Sequence, residues 1–178
     1  MSGFLRTSKS VLGEIEQIAN SIRVEMSQVV FMHIAAEQAR FYEQKELLGS
    51  DVNSKFPEVQ FDVAEAGNCF AVGRVTASIF HLMRIVEVGV QRLGGLLGLN
   101  LVREKNWQII LREIDNATNA LPRSFAAMEI SQAAANLRAV KLAWQGEVML
   151  PAHRYTSEEV AKLIQHVGTF MRNLAKIV

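Results

Sequence analysis

Between Asp62 and Leu97 the chain places apolar residues on nearly every side of a helix, and no other stretch restricts the fold as much. Phe70, Val72, Val75, Ile79, Phe80, Leu82, Met83, Ile85, Val86, Val88, Val90 and Leu93 crowd this segment. A helix that is apolar almost all round has to be covered on more than one face. The pattern therefore predicts a central helix, packed among others or closed on its second face by a partner subunit. Its most apolar window, Ile79 to Val90, is interrupted by His81, Arg84 and Glu87, which argues against a membrane span.

The remaining periodicity is also helical. Val11, Ile15, Ile18, Ile22 and Met26 recur at helical spacing in a first helix over about 10–28, which begins almost at once after Met1, as it would where a chain continues a longer protein. Val29 to Ile34 is a β-branched and aromatic run, readable as a short strand or an extended connection. A short helix is expected over Ala35 to Leu48, ended by Gly49, with another turn starting at Ser50. Gly94, Gly95 and Gly98 offer stops for the long helix. Asn106 then caps a helix to about Ala120, Pro122 breaks the chain, and a helix follows from Ser124 to about Val148. Within it Ala133, Ala134 and Ala135 leave room for a close neighbour. Thr156 and Glu159 form a capping box that opens the last helix.

These elements predict an all-α protein. Its body is an antiparallel four-helix bundle over residues 58–178, preceded over 1–57 by an N-terminal helix and a short strand or extended arm. A chain of 178 residues is long enough for a sizeable core. A net charge of +1 excludes a strongly basic, whole-surface phosphate binder. The single cysteine, Cys69, is expected to rule out an internal disulfide and any cysteine-based zinc site, and to be inert core. No metal site and no cofactor are expected. No secretory signal opens the chain, so a cytoplasmic location is expected.

Ala139-Val140-Lys141-Leu142-Ala143-Trp144, Met149-Leu150-Pro151 and Tyr155-Thr156-Ser157-Glu158-Glu159, with Phe61 to Gly67 and the long helix between, are similar to the HEPN superfamily. The resemblance covers about two-thirds of the chain. It implies a homodimeric helical bundle of a type common among metal-independent endoribonucleases of toxin–antitoxin and phage-defence systems. The motif of that family is an arginine, a polar residue, and a histidine four to six residues after the arginine. Two copies meet across the dimer, where histidine moves a proton and arginine holds phosphate charge.

Here Gln145 stands at the arginine position, Gly146 at the polar one and Leu150 at the histidine one. None of the three supplies charge or a proton. The resemblance therefore implies a HEPN domain without catalysis at the usual site, binding RNA or a partner protein.

Arg74 and His81 have the bare arginine–histidine spacing, but inside the central helix, where Arg74, Ser78, His81, Arg84, Glu87 and Gln91 form one polar stripe. His153 and Arg154 follow the motif positions, and Arg138 and Lys141 precede them. The candidate RNA or ligand residues are accordingly Arg74, His81, Arg84, Glu87, Arg138, Lys141, His153 and Arg154. An active ribonuclease that used Arg74 with His81, or His153 with Arg154, is the alternative. His33 is expected at a core or an interface, His166 at the surface, and Trp107 and Trp144 in packing positions.

Overall fold

The computed structural model describes residues 2–104, 106–144 and 155–178, with side chains from Ser10 onward. The chain divides into two compact units, 1–33 and 34–178. All regular structure among the described residues is helical, so the all-α expectation holds and the run Val29 to Ile34 forms no strand. No helix among the described residues is long and apolar enough to cross a membrane.

The first unit is one helix, α1 (Ser2–Ser27), followed by a turn and a segment without regular structure. Val11, Ile15, Ile18 and Ile22 lie between 48% and 61% exposed along it, and Val29, Val30, Phe31 and Met32 beyond its end are exposed too. His33 is likewise exposed.

In the second unit, residues 34–57 pack with the bundle, since Leu48, Val52 and Phe56 are fully buried in its core. The helix expected over 35–48 shrinks to one turn, α2 (Ala36–Ala39). Tertiary contacts outweigh local preference here. Phe41 sets its ring edge-on against Phe70 at 4.7 Å, and Asn68 Oδ1 accepts from the Glu43 backbone N–H at 2.7 Å, with Glu43 at φ 53°. The turn α3 (Ser50–Lys55) follows, then a single 3₁₀ turn at Pro57–Val59.

The long apolar segment is not one helix. It folds back on itself as α4 (Gln60–Ala71) and α5 (Val75–Leu96), hinged at Gly73 with φ 75°. That left-handed conformation is open to glycine without strain. The two arms are antiparallel, because Ser78 Oγ donates to the Ala66 carbonyl at 2.8 Å and Asp62 meets His81 one turn further along. The hairpin explains much of the apolar pattern: α4 covers one side of α5 within the same chain and α8 another, while Phe80 stays about half exposed. At the far end α5 runs through Gly94 and Gly95 and stops at Leu96. Gly98, at φ 70°, turns the chain so that the Leu99 N–H returns to the Gly94 carbonyl at 2.8 Å.

The expected caps at Asn106 and Thr156 form, and Ser124 supplies a third. Asn106 Oδ1 accepts the Gln108 N–H at 2.9 Å and opens α6 (Trp107–Asn119). Ser124 Oγ accepts the Ala127 N–H at 3.1 Å and opens α7 (Phe125–Ala143). Thr156 and Glu159 close a complete capping box at the start of α8 (Ser157–Ala175). Packing runs in the order α4, α5, α8, α7, with α6 beside α7 and α3 against α8. Gly89 on α5 lets α8 come close, since a Cβ there would overlap the Phe170 ring.

Candidate functional site

The α4–α5 hairpin concentrates polar side chains that the apolar coat otherwise excludes. Asp62, in the first turn of α4, is only 5% exposed. Its Oδ1 accepts from His81 Nδ1 at 2.8 Å and from Arg84 Nε at 2.8 Å, both on α5. A buried carboxylate needs such donors, and two of them on successive turns of one neighbouring helix meet that need. The pairing with Asp62, together with the Glu87 charge, holds the Arg84 guanidinium more firmly protonated than usual. Phe61 and Phe80 set ring edges toward the His81 imidazole, with centroids at 6.0 and 5.6 Å.

Asp62 was not among the residues expected at a site. A signal for it existed: Asp62, Ala66 and Phe70 recur every four residues on the buried face of α4, and an acidic residue in a core-facing row asks for a partner.

The polar stripe on α5 is split. Ser78 is fully buried, His81 is partly buried, and Arg74, Arg84, Glu87 and Gln91 are exposed. The α4 arm lies over the N-terminal half of the stripe and absorbs Ser78 and His81. Arg74 stands outside the helix at its N-cap, roughly 10 Å along the axis from His81 at 1.5 Å per residue. The structure therefore joins His81 to Arg84 through Asp62 and leaves Arg74 apart.

Glu87 and Gln91 belong to a different feature, a shallow cleft of about 160 Å³ whose floor includes Leu101, Trp107 and Trp144. The tryptophans pack edge to face at 5.3 Å, as core-spaced residues should. Lys141 Nζ lies 4.8 Å from the centre of the Trp144 ring, a cation–π placement. Arg138 is ion-paired with Asp115 on α6. A wider cleft, about 460 Å³, lies between α7 and α8, where His166 and Lys162 reach its rim. Gln145, Gly146, Leu150, His153 and Arg154 lie outside the described residues.

Cys69 is half-buried, not enclosed core, and burial together with the nearby Glu65 charge pushes its thiol pKa up. It lies one turn after Glu65 on α4, and both approach His81. Comparison with known proteins finds no matching family model, no matching curated protein and no matching solved structure.

Proposed function

We propose that this chain is a non-catalytic, HEPN-like interaction module that works as a homodimer, in a bacterial stress or phage-defence system of the kind the resemblance implies. The observation that carries the homodimer is the apolar face of α1. Val11, Ile15, Ile18 and Ile22 are spaced four, three and four residues apart, and about half of each is in water. A helix with such a stripe draws its stability from whatever covers it.

A second copy of the chain is the occupant this pattern fits best. The spacing reads the same in both directions about its midpoint, so two α1 helices can lay Val11 against Ile22 and Ile15 against Ile18 in antiparallel pairing. The exposed apolar run 29–32 lies beyond the end of the same helix and extends the apolar surface that such a pair can cover.

An RNA surface is less well supported. Arg84, Arg138 and Lys141 already have partners within the chain, and a net charge of +1 offers little counterion release.

Sedimentation equilibrium of the purified chain tests the dimer, and incubation with tRNA and structured RNA tests the absence of catalysis. The expected results are a dimer that Ile15→Asp with Ile18→Asp converts to a folded monomer, and intact RNA. A wild-type monomer overturns the dimer. Metal-independent cleavage lost in His81→Ala overturns the non-catalytic reading.

A further inference from the structure

Glu65, Cys69 and His81 bring one oxygen, one sulfur and one nitrogen ligand together across the α4–α5 hairpin, with the three ligating atoms all within 4.8 Å of one another. We propose that these three side chains bind a zinc-type divalent cation, and that Asp62 is the positioning residue that holds His81 for it. The proposal is independent of the dimer.

The first support is how the ligands are held. Glu65 and Cys69 are four residues apart on α4 and so share a face. His81 comes from α5, whose register against α4 is set by the buried Ser78-to-Ala66 hydrogen bond. All three ligands therefore stand on packed helices, where positions are held more closely than on loops.

The second support is the surrounding hydrogen-bond pattern. Histidine ligands of metals commonly give their other ring N–H to a carboxylate, which fixes the ring and its tautomer. His81 Nδ1 is bound in this way to the buried Asp62 carboxylate, which leaves Nε2 as the ligating nitrogen. Glu65 is steadied too: Asn68 Nδ2 donates to its Oε1 at 3.1 Å, while Asn68 Oδ1 is tied to the backbone of Glu43.

Chemistry selects the class of ion. A thiolate and an imidazole suit zinc and cobalt far better than magnesium or calcium, which take oxygen ligands. With Cys69 as thiolate and Glu65 ionised, the dication is neutralised by its own ligands. Binding releases the Cys69 thiol proton to solvent. Zinc–ligand bonds of ~2.0–2.3 Å place tetrahedral ligand atoms roughly 3.3–3.8 Å apart, so the cluster contracts by about 1 Å around the ion, within reach of the Glu65 side chain. Three protein ligands leave a fourth position for water or a ligand group.

The test uses the purified chain and cobalt(II), which reports coordination in its spectrum. Expected are a thiolate-to-cobalt charge-transfer band and tetrahedral visible bands that saturate at a single equivalent and disappear when zinc(II) is added. Cys69→Ser removes the charge-transfer band, and His81→Ala removes saturable binding. Asp62→Asn keeps the bands but weakens affinity about 10- to 100-fold. Should a variant fail to fold, alkylation of Cys69 in the wild-type chain still decides, since zinc(II) has to slow it and magnesium(II) must not. A wild-type spectrum without the charge-transfer band, unchanged cobalt binding in folded Cys69→Ser, or equal alkylation with and without zinc overturns the site.

Discussion

His81 Nδ1 on α5 and Asp62 Oδ1 on α4 lie 2.8 Å apart, and the same oxygen receives Arg84 Nε at 2.8 Å. The carboxylate is buried, while the Arg84 side chain is 55% exposed. Removing the acceptor and removing a donor are therefore unequal changes. Asp62→Ala strips a partly buried imidazole of its partner and is expected to cost about 1–3 kcal/mol. Arg84→Ala removes an exposed donor while His81 still serves the carboxylate, and is expected to cost less than Asp62→Ala. Urea unfolding of both variants checks the order; an Arg84→Ala loss as large as that of Asp62→Ala contradicts it.

Gly89 sets how closely α5 approaches α8. A Cβ at this position would overlap the Phe170 ring and come within 2.9 Å of Met171 Sδ, both in α8, whereas a Cβ on Gly95 meets nothing within 4 Å. Gly89→Ala is expected to destabilise the bundle by about 1–3 kcal/mol through overpacking. Gly95→Ala is expected to be neutral or to stabilise by up to about 1 kcal/mol, because alanine is the better helix former. Thermal unfolding of the pair separates close packing from helix propensity on one helix.

Local signals were the legible part of this fold. The caps at Asn106 and Thr156 need only a side chain and the next three residues, and both form. The hinge at Gly73 was less visible, because a lone glycine in a helical pattern reads equally as a tolerated interior residue. What decides it is tertiary: the gain from laying the buried face of α4 along α5. The short helix expected over 35–48 failed for a related reason, since the contacts of Phe41 and Glu43 with α4 hold that segment in turns. The candidate site was legible only by halves. His81 and Arg84 could be picked out on one stripe, but their link through Asp62 spans the hairpin, and Glu65 and Cys69 join His81 only once α4 folds back. Spacing along one helix carries no information about a neighbour whose direction is unknown.

The start of α8 isolates a backbone effect. Thr156 Oγ1 accepts the Glu159 N–H at 3.2 Å, and Glu159 Oε2 accepts the Thr156 N–H at 2.7 Å. Thr156→Ala is expected to cost about 1 kcal/mol, and Thr156→Ser to recover most of it by restoring an acceptor. Val160, Leu163 and Val167 bury α8 in the core, so fraying at its first turn should appear as faster amide exchange around Glu159 before any global loss.

The Glu58–Arg92 pair gives the fold a defined source of acid sensitivity. Arg92 Nη2 donates to Glu58 Oε1 at 2.7 Å, and this bond, more than any other contact, holds the Glu58 carboxyl below its ordinary range. A carboxyl lowered in the folded state binds its proton more readily in the unfolded chain. Its contribution to stability is therefore complete above the usual carboxylate range and is lost as pH falls through the folded value. Both side chains are partly exposed, at 54% for Arg92 and 37% for Glu58, so water and salt screen the pair and its worth stays under about 1 kcal/mol. Glu58→Gln is accordingly expected to lower stability slightly at neutral pH and to match the wild type once the solution is acidic enough to protonate Glu58 in the folded protein. Added salt should narrow the neutral-pH difference, because exposed charges are screened within about 10 Å at moderate ionic strength. Denaturant midpoints of the two proteins across acid and neutral pH, at low and high salt, check this; a gap that widens toward acid reverses the sign and counts against the pairing.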